Sequence, residues 1–198
     1  MDRDRAERLS LRRRPLVARL LEGADELAVI AGLGAPAWDC AAATGERALT
    51  FPLWGAMGGA AMMGLGLALA QPRRRVLTVT GDGELLMGLG ALVTIGAAPA
   101  ANLAIAVLDN ERYGETGGQP TATAGVLDLA ALARAAGFRE ALTVRDQAEV
   151  ERARSLLLSA PGPVLVDFKV RAEDLPIVMP EKDGATLRDR FRRALGVA

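Results

Sequence analysis

Residues 76–110 read VLTVTGDGELLMGLGALVTIGAAPAANLAIAVLDN, and their pattern decides the fold. Val76 to Thr80 is a run of branched and apolar residues ended by Gly81, which reads as a buried strand. Leu103 to Leu108 (LAIAVL) is a second unbroken apolar run, and residues 85–98 between them read as a helix. Strands apolar throughout that alternate with helices belong to a parallel sheet covered on both faces. In such sheets ligands bind outside the carboxyl ends of the strands. The segments to interrogate are therefore 32–36, 81–84 and 109–125.

Working outward, residues 5–21 carry leucines at 9, 11, 16, 20 and 21 and predict an amphipathic helix, with Arg12, Arg13 and Arg14 on its solvated face. Residues 27–31 (LAVIA) predict a buried strand, 36–43 a short helix, and 51–55 a connection into a glycine-rich helix that Gln71-Pro72 ends. Downstream come a long loop over 109–125, a helix over 128–136 opened by Asp128, and a strand over 139–144. A helix over 146–159 capped by Asp146, a strand over 164–169 (VLVDFK) and a charged helix over 184–195 complete the chain. The expected class is α/β, a doubly wound parallel sheet with helices on both faces. One domain over 1–198 is expected, with a short tail from about residue 171.

Composition narrows the chemistry. Lysine plus arginine equal aspartate plus glutamate, 24 against 24, so no bulk field draws nucleic acid or anionic lipid. Histidine is absent, which removes Ser-His and Cys-His nucleophile pairs from this chain and any zinc site needing histidine. The one cysteine, Cys40, rules out an internal disulfide and fits a reducing, cytoplasmic compartment. The charged N-terminus does not resemble a secretory signal. Residues 50–70 lack any charge over 21 positions, yet their glycines and alanines carry little transfer energy, so a helix packed deep in a core is expected rather than a membrane span.

The Gly81-Asp82-Gly83 turn is where chemistry enters. Its glycines let the backbone approach a ligand closely, and the first amides of a following helix favour phosphate. Asp82 places a carboxylate at the same spot, which makes sense when a hard cation lies between the two. Mg²⁺ takes oxygen ligands and shares them between a few protein groups and substrate phosphates. After the next strand, Asn110 offers an amide oxygen, and the turning backbone beyond it offers a carbonyl.

A Gly-Asp-Gly turn followed, 25 residues on, by an Asn-Asn-type pair resembles the diphosphate-binding motif of thiamine diphosphate (ThDP) enzymes. The resemblance implies Mg²⁺ held by Asp82, the Asn110 side chain and the Arg112 carbonyl. It places Gly81, Gly83, Glu84 and Tyr113 against the cofactor. Upstream, Trp54-Gly55-Ala56-Met57-Gly58 resembles the family's stretch in which a backbone carbonyl, here Gly55, accepts from the aminopyrimidine. A bulky side chain there, here Met57, holds the cofactor bent; ordinary core packing beside Met62 and Met63 is the bland alternative. The departure is Asp109, where the family usually carries its first asparagine. GDGELLMGLGAL and LDNERYGETGGQ are most similar to the β subunits of sulfopyruvate decarboxylase and to phosphonopyruvate decarboxylases.

That resemblance implies a 2-oxo acid decarboxylase with a sulfo- or phosphonopyruvate-like substrate. Glu115, Thr116 and Gln119, in the loop after the metal motif, either face the substrate or belong to a solvated, mobile loop, and Arg112 or residues 73–75 either meet its anionic end or are solvated. No catalytic residue is expected on this chain. The activating glutamate belongs to a pyrimidine-binding domain, for which 198 residues leave no room, so a partner α subunit in an α₂β₂-type assembly is implied. A carboligase subunit of acetolactate-synthase type and a catalytically silent ThDP-binding module are the alternatives. The Gly32-Leu33-Gly34-Ala35-Pro36-Ala37 match to a dinucleotide fingerprint is weak, because Pro36 sits in the turn and no acidic residue follows at the ribose position. No Walker lysine follows a glycine-rich turn. A flavodoxin-like domain with unrelated loops is the remaining alternative.

Overall fold

A computed structural model describes residues 5–197. In chain order its elements are α1 (Arg13–Leu21), β1 (Ala28–Ala31), α2 (Ala35–Thr44), β2 (Thr50–Pro52), α3 (Ala60–Ala70), β3 (Val76–Gly81), α4 (Asp82–Met87) and α5 (Ala91–Ala97). Then follow β4 (Leu103–Asp109), β5 (Arg112–Tyr113), β6 (Gln119–Pro120), α6 (Leu129–Ala135), β7 (Glu140–Val144), α7 (Val150–Ser159), β8 (Val164–Lys169) and α8 (Gly184–Ala194). Six strands form one parallel sheet in the order β2-β1-β3-β4-β8-β7.

Strand alternation divides the interior into two cores. Val29, Leu77, Val79, Ala104, Ala106, Val166 and Phe168 face α1, α2 and α7. Ile30, Val76, Ile105, Val107 and Leu165 face α3, α5 and α6. The sheet is thus doubly wound, as its uniformly apolar strands predict. No helix among the described residues is long and apolar enough to cross a membrane.

Five local expectations are corrected. The first helix begins at Arg13 and not at residue 5, because Leu11 pairs with Val170 in a parallel bridge and holds the chain extended there. Of the three arginines expected on a solvated face only Arg12 is exposed. Arg13 is buried and donates to Asp39 Oδ2 at 3.1 Å, and Arg14 donates to Asp39 Oδ1 at 2.9 Å. Residues 50–52 form an edge strand rather than a connection, roofed by α8, whose Phe191 ring lies 5.4 Å from that of Phe51. The helix expected over 85–98 breaks between Met87 and Ala91. There Gly88 meets the loop before α3 so closely that a Cβ on it would lie 2.1 Å from the Gly58 carbonyl oxygen. Finally, the loop over 109–125 contains a small antiparallel ribbon, β5 with β6.

The glycine-rich helix α3 is not packed deep on all sides. Its Gly64 lies against β3, where a Cβ would fall 2.1 Å from Thr78 Oγ1, so only glycine permits this approach. Its other side is exposed: Met62, Met63 and Leu69 are 39–49% accessible. The tail after β8 runs as a strap past α1 and α2, through Arg12–Glu173 (2.8 Å) and Arg14 Nη2 to the Pro176 carbonyl (2.8 Å), before α8 closes the β2 edge.

Candidate active site at the carboxyl ends of β3 and β4

β3 and β4 are hydrogen-bonded neighbours in register, with Gly81 opposite Leu108, so the 81–84 turn and the 109–113 turn emerge side by side. Between them and the start of α2 lies an open cleft. Gly81, Asp82, Gly83, Glu84, Asn110, Arg112, Tyr113 and Met57 all border it, as do Glu115 and Thr116. Gly55 and Gln119 do not; both are exposed. Arg73, Arg74 and Arg75 precede β3 at the opposite end of the sheet, where Arg75 donates to the Leu157 and Ala160 carbonyls. They are therefore removed from any ligand in the cleft, a correction to the expectation for the anionic end.

Asp82 is 1% exposed, and its Oδ2 accepts from Thr121 Oγ1 at 2.6 Å and more weakly from Thr123 Oγ1 at 3.3 Å. Burial, and then the nearby Asp109 charge, push its carboxyl up to about 7. A bound cation would reverse that shift by favouring the carboxylate. Asn110 Oδ1 accepts from the Arg112 amide at 2.9 Å, which fixes its orientation and leaves a second lone pair. Between the two, Glu111 adopts φ 61°, a left-handed conformation costly for a residue with a side chain. The same occurs at Ala56 (φ 58°), beside Met57. Both departures flank candidate ligand-binding positions. Met57 itself is 41% exposed, which rules out the core-packing alternative.

No group of three or more Asp, Glu or Cys among the described residues is arranged to hold a metal alone. One carboxylate, one amide oxygen and one backbone carbonyl instead fit a cation that takes its remaining ligands from a phosphate or water, as Mg²⁺ does.

Glu84 turns its carboxylate away from this donor set. It accepts from Thr80 Oγ1 at 2.7 Å and from the Ala60 amide at 3.4 Å, tying the start of α3 to β3. Burial raises its carboxyl, with the Thr80, Ala60 and Gly58 hydrogen bonds opposing. Cys40 is buried, its thiol pushed up to about 12 by desolvation, and has no nucleophilic character.

Leu33, Ala35 and Pro36 bring the start of α2 to the cleft, where the strand-end position of the 32–36 segment predicts it. Three features escape the sequence reading. Arg13 lines the same cleft. Thr121 and Thr123 hold Asp82, and nothing in a threonine-rich loop marks which hydroxyls turn inward. Lys169 ends β8 and donates to Asp109 Oδ2 at 2.6 Å. A legible signal existed for it: Asp167 and Lys169 fall two apart, on one face of a strand otherwise apolar.

The arrangement is a doubly wound α/β domain with a cleft across adjacent strand ends, where oxygen-bearing side chains stand beside a glycine turn. Residues 35–168 match the family described as thiamine pyrophosphate enzyme, C-terminal TPP binding domain. The chain belongs to that thiamine pyrophosphate enzyme family. It is 38% identical over 167 residues to sulfopyruvate decarboxylase subunit beta of Methanothermobacter thermautotrophicus, covering 84% of this chain and 85% of that one. It is 40% identical over 148 residues to phosphonopyruvate decarboxylase of Streptomyces viridochromogenes, covering 74% of this chain but only 37% of the relative. A putative thiamin diphosphate-dependent enzyme from Mycobacterium smegmatis shares the fold, with a TM-score of 0.68 at 21% identity over 82% of this chain and 35% of that one.

Proposed function

We propose that this chain is the diphosphate-binding subunit of a ThDP- and Mg²⁺-dependent 2-oxo acid decarboxylase, completed by a pyrimidine-binding partner subunit. The observation that carries the reading is the meeting of Asp82 and Asn110 at one cleft beside the Gly81–Gly83 turn, in a chain matched along most of its length by a β subunit. When bound, ThDP supplies the carbon nucleophile for the 2-oxo carbon and the electron sink that lets CO₂ leave.

This chain's residues bind and orient. Asp82, the Asn110 side chain and the Arg112 carbonyl hold Mg²⁺, and through it the diphosphate. Gly81 and Gly83 keep side chains out of the way, and the Tyr113 ring packs on Gly83, 2.7 Å from where a Cβ would stand. Met57 on the cleft wall would support the cofactor from one side, and the Gly55 carbonyl, on the exposed loop outside the cleft, would be offered to its ring amine. Fixing the cofactor in one pose contributes to the rate by proximity, without any acid or base on this chain. Arg13 and Arg112 on the cleft wall favour a substrate with an anionic end, of the sulfo- or phosphonopyruvate kind.

The exposed side of α3 and α5 supports a partner subunit. Met62, Met63 and Leu69 on α3, Met87 at the end of α4 and Val93 on α5 are exposed apolar side chains on neighbouring helices, such as protein interfaces cover. Calorimetric titration with ThDP, with and without Mg²⁺ and with the product of a neighbouring gene of similar length, tests the reading. Binding that needs Mg²⁺, tightens with the partner and is lost in Asp82→Ala is expected. Absence of ThDP binding in every mixture overturns it.

A further inference from the structure

We propose that Lys169 is a positioning residue that clamps the 109–111 turn and thereby presets Asn110 and Asp82 for their cation. The inference rests on the cofactor reading above. Its Nζ donates to Asp109 Oδ2 at 2.6 Å, lies 3.4 Å from Glu111 Oε1, and reaches the Thr123 carbonyl at 3.3 Å. Asp109 and Thr123 take two of its hydrogen bonds and Glu111 adds an ion pair, so its charge is already matched within the fold and Lys169 acts through its neighbours.

Those neighbours are informative. Asp109 and Glu111 stand on either side of Asn110, so one buried cation grips both flanks of the amide ligand. The register explains why: Asp109 and Lys169 are partners across β4 and β8. From Asp109 the contacts continue. Its Oδ1 accepts from the Glu111 amide at 2.9 Å, fixing the left-handed turn, and from Thr123 Oγ1 at 2.8 Å. Thr123 Oγ1 lies 2.8 Å from Thr121 Oγ1, which donates to Asp82 Oδ2. A path of polar contacts therefore joins Lys169 to Asp82, and Asn110 is held through its backbone neighbours Asp109 and Glu111.

Charge gives the clamp its reason. Asp82, Asp109, Glu111 and Asp167 are all at most 2% exposed, and Lys169 is the buried cation among them, at 3%. Arg5, largely exposed, pairs with Glu111 from outside. Without Lys169 the buried Asp109 carboxylate would lose its partner and swing away, carrying Thr123 and the turn with it. If position 109 were asparagine, the same oxygen could serve Thr123 and Glu111 with no charge to balance. The aspartate and the lysine are on this account a matched exchange for a neutral residue.

The exchange can be undone by Lys169→Met, Asp109→Asn and the double variant. Each is measured below its own melting temperature, with folding checked by circular dichroism. The readout is the Mg²⁺ concentration needed for half-maximal ThDP binding, taken with whatever partner the wild type requires. Lys169→Met is expected to raise it about tenfold or more, because an unpaired buried carboxylate distorts the turn. The double variant should return it to near the wild-type value and recover most of the lost thermal stability.

An unchanged Mg²⁺ requirement in Lys169→Met overturns the clamp, since a residue with only a structural role would lower stability and leave this requirement alone. A double variant as impaired as Lys169→Met also overturns it. If the wild type binds no ThDP, the cofactor reading falls and the clamp falls with it. That result is distinct from a wild type that binds beside a Lys169→Met that binds equally well.

Discussion

The floor of the cleft is too polar for a protein interior, and the outer side of α3 and α5 is too apolar for a protein surface. Beneath the cleft, Asp82, Asp109, Glu111, Asp167 and Lys169 lie buried together where the strand ends of a doubly wound sheet would tolerate apolar residues. On the outside, Met63, Leu69 and Val93 stand open to solvent, 39%, 49% and 66% exposed. Ordinary folding energetics favours neither arrangement. Under the proposed function each has its reason, a cation and diphosphate at the floor and a protein partner at the outer side. The two regions should accordingly respond in opposite ways to substitution: the floor through the stability of the chain, the outer side hardly at all until a partner is present.

The largest effect on stability is expected beside the floor, at Asp39. This residue is fully buried and joins Arg13 and Arg14 to α2. Burial raises its carboxyl while the two arginines oppose that shift. Asp39→Ala leaves the buried Arg13 guanidinium without its partner and should cost about 3–5 kcal/mol, read by urea or thermal unfolding. A loss below about 1 kcal/mol, the worth of an exposed pair, would mean that this part of the cleft wall is better hydrated than its burial indicates.

Next in size is a pH effect at Asp167. Desolvation, and then repulsion from Asp109, push its carboxyl up to about 8, while Lys169 opposes them. A carboxyl raised in the folded state stabilises the chain below the unfolded value near 4, and that contribution is lost as pH rises through about 8. Stability of the ligand-free chain should therefore fall between about pH 5 and pH 8. Its Oδ1 has no hydrogen-bond partner, so removing the charge carries little penalty. Asp167→Asn should flatten the slope and be the more stable form at pH 8, by on the order of 1–3 kcal/mol. An unchanged slope would assign the pH dependence to another group of the floor.

How far these regions were legible in the sequence follows from their physics. The sheet was readable because buried parallel strands must be apolar on both faces, and VLTVT, LAIAVL and LAVIA have no other comfortable home. The place of the Gly81–Gly83 turn and Asn110 at one cleft was readable because each directly follows a buried strand and leaves a short, local pattern. Arg13 was misread for the opposite reason. A run of three arginines looks solvated, and only Asp39, 26 residues away on α2, makes one of them a buried residue. Lys169 lay 60 residues from its partner Asp109, and Thr123 depended on a loop whose course no periodicity describes. Pairings across the sheet are set by register, and register is a property of the whole fold. The glycine-rich helix was misjudged because small residues suit a tight contact with β3 at Gly64 and an open face at Gly66 equally well.

The outer side provides the smallest expected change in the chain itself and the sharpest test of the contrast. Met63 and Val93 occupy the exposed sides of neighbouring helices, so neither side chain is needed to close the core of this chain. Met63→Lys and Val93→Lys should each alter unfolding free energy by no more than about 0.5 kcal/mol. If the surface is a partner's seat, the same lysines bury an unpaired charge on association and should weaken the assembly about tenfold or more, as read by sedimentation of mixtures with the candidate partner. Stability lost in the isolated chain would mean that α3 and α5 are more deeply packed than their exposure indicates. Unchanged stability with unchanged assembly would move the partner elsewhere and leave the apolar surface without a role. Unchanged stability with weakened assembly separates the two regions cleanly, one excess being held by the fold and the other reserved for a second protein.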